Sequence, residues 1–328
     1  MVTPLLPVQA GGAQAFVADL ARGLAGRGHR VELYCAGGSE VPGVELVEIA
    51  VGAEVSRALV MPGASRSEAV PELRDGFERL FKELRRRGAD AVSQHAFDAE
   101  AIELAEDLPV VHTLHLPPLV PGVVAAARTS RARFATVSGS AQAGWASARL
   151  VTALLPDGVP DWKPEPAPVE PVALIAGRIS PEKGIEDGVA AARLAGLEPL
   201  VVGGEYDHAY RSRLRDVEIR PPLPRAELWR LMARSAVTLM PAKWEEPFGL
   251  VAAEAQVAGC PVAAYARGAL PEVVSEGAGG FLARPDDVAD LAEAIRRCLQ
   301  LDRSRVRDQA RERLLIDRSL DAYEEALS

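Results

Sequence analysis

Asparagine is absent from the 328 residues, and of the 37 basic residues only four, at positions 82, 163, 183 and 243, are lysine. A GC-rich coding sequence explains both shortages, because the missing residues use AT-rich codons. Avoidance of a thermolabile amide is the competing explanation, but adaptation to heat more often enriches lysine. Cysteine is scarce too: Cys35, Cys260 and Cys298 form an odd, scattered set without metal-type spacing. Such cysteines read as reduced core residues of a cytoplasmic protein. No uncharged apolar run approaches the roughly 18 residues of a membrane-spanning helix. The start, Met1-Val2-Thr3-Pro4-Leu5-Leu6-Pro7, lacks the basic leader of a signal peptide. No Asp-x-Asp element is present to hold a divalent metal. Positive charge is in deficit as well, 37 − 46 giving −9, which disfavours nucleic acid and anionic membrane surfaces. Peripheral membrane contact stays open.

What is present is ordinary globular composition, 48% hydrophobic and 25% charged, in a chain long enough for two cores. Helix and strand patterns alternate throughout. From Gly12 the apolar residues Phe16, Val17, Leu20 and Leu24 recur at helical spacing, and Gly28 can cap that helix. Residues 71–88 form an amphipathic helix on Leu73, Phe77, Leu80, Phe81 and Leu84, with a solvated Arg85-Arg86-Arg87 end. Short strands are expected around 30–36, 44–51, 91–95, 109–115 and 134–138. A second series is expected around 172–176, 200–202, 217–219, 237–240, 261–265 and 281–283. Near-continuous apolar strands separated by helices imply parallel sheets covered on both faces.

Six prolines between Pro156 and Pro171 mark the domain boundary, since such a stretch is stiff and cannot enter a sheet. The expected organisation is a first α/β domain over 1–158, a linker over 159–170, a second domain over 171–310, and a C-terminal helix over 311–328. Two doubly wound domains would present the carboxyl ends of their strands to a common cleft, where such sheets place ligands.

The strongest chemical signal is Lys243-Trp244-Glu245-Glu246-Pro247-Phe248-Gly249-Leu250-Val251-Ala252-Ala253-Glu254. A strand ends before it and a helix is expected to begin near Phe248, with Pro247 in the tolerant first turn. The amides of Phe248, Gly249 and Leu250 would then suit a phosphate oxygen. Glu254 lies in an almost wholly apolar helical run, where a carboxylate needs a partner. A carboxylate can accept from both vicinal hydroxyls of a ribose or hexose. As a bland alternative, Glu246 would merely cap the helix and Glu254 would face solvent. The second signal is Gly177-Arg178-Ile179-Ser180-Pro181-Glu182-Lys183-Gly184. Its two cations, set in a loop at a strand's carboxyl end, can neutralise a diphosphate. Their bland reading is surface charge paired with Glu182 or Glu186.

Together and in this order, these motifs resemble the retaining, nucleotide-sugar-dependent GT-B glycosyltransferases of family 4. Gly11-Gly12 resembles the family's N-terminal glycine loop, and Gly28-His29-Arg30-Val31 its turn into the second strand. Thr113-Leu114-His115 resembles its Thr-x-His element, and Ala135-Thr136-Val137-Ser138 and Leu155-Pro156-Asp157-Gly158-Val159 match later landmarks. So does Gly268-Ala269-Leu270-Pro271-Glu272-Val273-Val274 with Gly280-Phe281-Leu282, while Asp157 stands where the family usually has asparagine. Only Met1-Val2-Thr3 precede the glycine loop as a first strand, which is short, so the sheet edge is short or the start lies upstream.

The resemblance implies a GT-B fold and sugar transfer from a nucleoside diphosphate sugar, UDP or GDP, to a hydroxyl of a small-molecule or glycan acceptor. Retention of configuration, with neither metal nor further cofactor, is part of that implication. It further implies that Gly11, Gly12, Arg178, Lys183, Phe248, Gly249, Leu250 and Glu254 bind the donor. Glu246 would contact the transferred sugar, and His115 would serve catalysis from the N-terminal domain. Strand alternation favours His115, which shares a face with Thr113, over His112, which shares the other with Val110 and Leu114. His95 and His112 are weaker acceptor-side candidates. A sugar-nucleotide epimerase and a non-catalytic sugar-nucleotide-binding protein are the alternatives.

Overall fold

A computed structural model describes residues 4–6, 11–50, 71–214 and 216–328. The expected first strand at Met1–Thr3 lies outside the described residues. The chain forms two compact units: one takes 13–156 and the final 319–328, and the other takes 157–318 together with Gly11 and Gly12.

In the first unit, β1 (Glu32–Ala36) and β2 (Glu45–Ile49) pair in parallel. A second parallel sheet runs β3 (Val92–Gln94), β4 (Val110–Leu114), β5 (Arg133–Thr136), β6 (Ala153–Leu154) in that order. Every residue of β4 is buried, His112 and Thr113 included, as in a parallel strand covered on both faces. The helix Pro71–Arg87 buries the predicted Leu73, Phe77, Leu80, Phe81 and Leu84 stripe against Val47 and Ile49 of β2. Its arginine end is turned to solvent and paired there: Arg86 and Arg87 with Glu83, Arg85 with Asp107.

The second unit holds β7 (Glu170–Ala176), β8 (Glu198–Val202), β9 (Glu218–Arg220), β10 (Ser235–Met240), β11 (Val262–Tyr265) and β12 (Gly280–Ala283). They form one all-parallel sheet in the order β12-β11-β10-β7-β8-β9. Chain direction across the sheet reverses between β7 and β10, which lie side by side with Ala173 opposite Val237. The carboxyl ends of the strands at such a reversal are the usual ligand position in these sheets. Cys35, Cys260 and Cys298 are buried and free, as expected.

Two boundaries differ from expectation. The proline-rich stretch is bound to the second unit from Asp157 onward. Asp161 is gripped by Arg311 at 2.5 Å and Arg307 at 3.2 Å, and Trp162 meets Trp229 with ring centroids 5.6 Å apart. Proline stiffness gave no sign of these charge and ring contacts. The expected single helix over 311–328 is two, Arg303–Leu314 and Ile316–Leu327, because Leu315 leaves helical geometry to form a β-bridge with Val159. Beyond residue 318 the chain rejoins the first unit. There Leu320 and Tyr323 are buried, the Tyr323 hydroxyl bonds Thr113 Oγ1 at 3.0 Å, and Asp321 and Glu324 pair with Arg27.

Candidate active site

The two sequence signals occupy the loops that follow β7 and β10. After Ala176 the chain runs through Arg178 into a short turn, Pro181–Lys183, and closes at Gly184 with φ 62°. After Met240 it runs through Trp244 and Glu246 to Gly249, whose φ of 94° caps the helix Leu250–Val257. The helix thus starts two residues later than expected, because glycine in the left-handed region ends the preceding turn. The loops are joined directly: the Lys243 amide donates to the Glu182 carbonyl at 2.8 Å.

Lys183 and Glu246 meet at 2.7 Å between Nζ and Oε2. The Trp244 indole N–H donates to the same oxygen at 2.8 Å, and the Lys183 ammonium lies 5.1 Å from the centre of that indole. Glu254 is 7% exposed and meets Arg225 at 2.6 Å, so it has the partner its burial requires. The Arg225 guanidinium in turn lies over Trp229 at 4.7 Å. Arg178 sits near Tyr206 at 5.7 Å and reaches Glu182 at only 3.4 Å. Its buried Nε has no hydrogen-bond acceptor among the described residues.

The backbone beneath Glu246 is pinned by the loop after β11. The Ala269 amide donates to the Glu246 carbonyl at 2.8 Å, and a Cβ on Gly268 would lie 2.3 Å from the Glu246 nitrogen. Only glycine tolerates both that approach and the local φ of 60°. On the same unit, a Cβ on Gly12 would come within 3.0 Å of Leu250 Cδ1, so the glycine permits close approach there. Gly11 is a half-buried bend beside it.

In the first unit the three candidate histidines, His95, His112 and His115, separate into two environments. His95 Nδ1 and His115 Nε2 lie 2.9 Å apart, and Ser93 Oγ lies 2.8 Å from His95 Nε2. Phe16 and Tyr323 pack around them, with Phe16 5.8 Å from His115 and Tyr323 5.8 Å from His95. Burial, and then the neighbouring His115, hold the His95 pKa well below the ordinary histidine range. His112 lies elsewhere, 1% exposed and stacked on Phe134 at 5.1 Å. Burial lowers its pKa to about 4. His112 is thus packed within the sheet, apart from the His95–His115 pair.

The sequence reading missed Arg225, Trp229 and Trp244. Arg225 and Trp229 stand one helical turn apart, which hints at stacking, but nothing in the sequence links Arg225 to Glu254. Trp244 lay inside the quoted motif without a role. No three His, Cys, Asp or Glu side chains gather as a metal site among the described residues.

The profile of the family described as Glycosyl transferases group 1 matches residues 161–313, and that of Glycosyltransferase Family 4 matches residues 10–152. The chain belongs to glycosyltransferase family 4. Within the family it is similar to glycogen synthase of Mycobacterium tuberculosis, 38% identical over 149 residues that make up 42% of this chain and 35% of that relative. D-inositol 3-phosphate glycosyltransferase of Thermobifida fusca is also 38% identical, over 138 residues covering 36% of this chain and 32% of its own. The alignments thus span about a third of each curated relative.

Among solved structures, sucrose-phosphate synthase from Thermosynechococcus elongatus superimposes with a TM-score of 0.77 at 20% identity, over 98% of this chain and 96% of that one. Anabaena HepE in complex with UDP and glucose gives 0.75 at 19% identity, with 98% and 96% coverage. These matches identify the fold of this family 4 chain as GT-B. No helix among its described residues is long and apolar enough to cross a membrane.

Proposed function

We propose that the chain transfers a sugar from a nucleoside diphosphate sugar to an acceptor hydroxyl, with retention of configuration and without a divalent metal. The observation that carries this reading is that the two charged loops follow β7 and β10, neighbours at the switch point of one parallel sheet, and that Lys183 of one meets the buried Glu246 of the other, while the buried Glu254 is held by Arg225. Arg178 and Lys183 bind the diphosphate. A buried guanidinium N–H is costly to leave without an acceptor, and a phosphate oxygen at Arg178 removes that cost. The amides of Phe248, Gly249 and Leu250 add the positive end of a helix to the same charge. Glu254 accepts from the ribose hydroxyls and Glu246 from hydroxyls of the transferred sugar. UDP-glucose is the first donor to test, since HepE was solved with UDP and glucose.

The course of the reaction is the one the family resemblance implies, a front-face displacement. As the bond from the anomeric carbon to the leaving phosphate oxygen lengthens, charge grows on the diphosphate, and Arg178 and Lys183 stabilise it. The acceptor oxygen bonds to the anomeric carbon on the same face, and its proton passes to the departing phosphate oxygen. A double displacement would need a carboxylate nucleophile. Glu246, already accepting from Lys183 and Trp244 on one oxygen, is a poor one. His115 is assigned, on the family resemblance, to orienting hydroxyls.

Incubation with UDP- and GDP-sugars, with and without a chelator, should give slow donor hydrolysis that the chelator leaves unchanged. Arg178→Ala should weaken nucleoside diphosphate binding by about 1.5–3 kcal/mol, the worth of a charged hydrogen bond. Unchanged affinity in that variant would remove Arg178 from the phosphate site, and strict metal dependence would end the metal-free route.

A further inference from the structure

We propose that Trp244 is a positioning residue for sugar recognition: it fixes the carboxylate of Glu246 through its indole N–H and steadies Lys183 through its ring face. The inference rests on the reading that Glu246 faces the transferred sugar. Two donors, Lys183 Nζ at 2.7 Å and Trp244 Nε1 at 2.8 Å, converge on a single oxygen, Oε2. A carboxylate accepts at about four lone-pair positions over its two oxygens, so loading one oxygen orients the group while Oε1 keeps its capacity for a ligand hydroxyl. An ammonium alone would not set that orientation, because it is a rotatable point charge. The indole adds a directed, rigid N–H from two residues away in the chain.

The same indole lies 5.1 Å from the Lys183 ammonium, within range of a cation–ring attraction. Lys183 therefore has two holds, the Glu246 carboxylate and the Trp244 ring, and retains further N–H groups for a phosphate. The backbone of the segment is locked independently by Gly268 and Ala269, so Trp244 is not needed to shape the loop. Its side chain is half-buried and acts on two charged groups of the site, which assigns it to the ligand rather than to the core.

Replacing Trp244 by Phe removes the N–H and keeps a ring face for Lys183, whereas His restores a donor of similar reach. Calorimetry with UDP and UDP-glucose, and with GDP and GDP-mannose if the parent prefers guanine, separates nucleotide from sugar recognition. Trp244→Phe should bind the nucleoside diphosphate within about twofold of the parent and lose about tenfold in the affinity added by the sugar. Trp244→His should recover part of that loss. If Trp244→Phe retains the sugar increment while Glu246→Gln loses it, the inference is overturned and the role of Glu246 stands. If Glu246→Gln also retains it, Glu246 does not face the sugar and both readings fall. Equal losses toward nucleotide and sugar in both Trp244 variants, with lowered melting temperatures, would show a merely structural tryptophan and overturn the inference.

Discussion

Glu254 and Glu246 solve one electrostatic problem in the same way. Each is a largely buried carboxylate whose charge is met by a cation, and each cation lies over an indole: Arg225 over Trp229, Lys183 over Trp244. Burying such a charge is tolerable only when its partner is held in place, and a flat aromatic face restricts a long, flexible cation at little polar cost. Arg225 acts on the proposed ribose contact from this position. Replacing it with Leu would take from the buried Glu254 carboxylate the ion pair that holds it in place for a diol. Nucleoside diphosphate affinity in Arg225→Leu is expected to fall about tenfold, with a smaller loss in Arg225→Lys, whose point charge stacks less well. Titration calorimetry measures both. Equal affinity in parent and Arg225→Leu would separate Arg225 from the ligand site.

At the level of elements, most of the architecture could be read from periodicity. The strands of the second unit appear within a few residues of their expected positions, because alternating apolar runs and helical stripes report local burial directly. The same alternation argument correctly separated His115 from His112. Thr113 and His115 belong to the cluster around Phe16 and Tyr323, while His112 stacks on Phe134 at the opposite face of β4. What periodicity could not show was how loops lock onto one another. Gly268 was legible only as part of a resemblance. Its physical duty is to leave room for Glu246, whose nitrogen and carbonyl oxygen lie 2.3 and 2.4 Å from where a Cβ on Gly268 would sit. Gly268→Ala should therefore displace Glu246 without emptying any core. Donor turnover is expected to drop by about 10²-fold, the size of a misplaced catalytic contact, while the melting temperature changes by a few degrees. Turnover within twofold of the parent would show that the loop relaxes around the methyl group.

For the whole chain, the decisive feature is that it does not end where its second unit ends. The last ten residues, 319–328, belong with the first unit. Tyr323 is fully buried there and bonds Thr113, and Leu320 is 3% exposed. Tyr323→Ala should cost roughly 3–5 kcal/mol, the range for truncating a buried aromatic. Tyr323→Phe, which loses only the hydroxyl bond, should cost about 1 kcal/mol. Thermal melting of both variants checks the order. A Tyr323→Ala protein that melts like the parent would mean the terminal helix contributes nothing to that unit.

By itself the sequence determined the alternation of helices and strands, the parallel character of the sheets and the position of both charged loops at strand ends. Each depends on neighbours within a turn or two of chain, where residue type acts through local geometry. The tertiary structure alone decided strand order, and with it which charges meet: Glu254 with Arg225 across 29 residues, Lys183 with Glu246 across 63, Thr113 with Tyr323 across 210. A buried charge announces in sequence that it needs a partner, because desolvation is costly wherever it occurs. Which partner it takes depends on distances through space, and those exist only once the sheet has set its order.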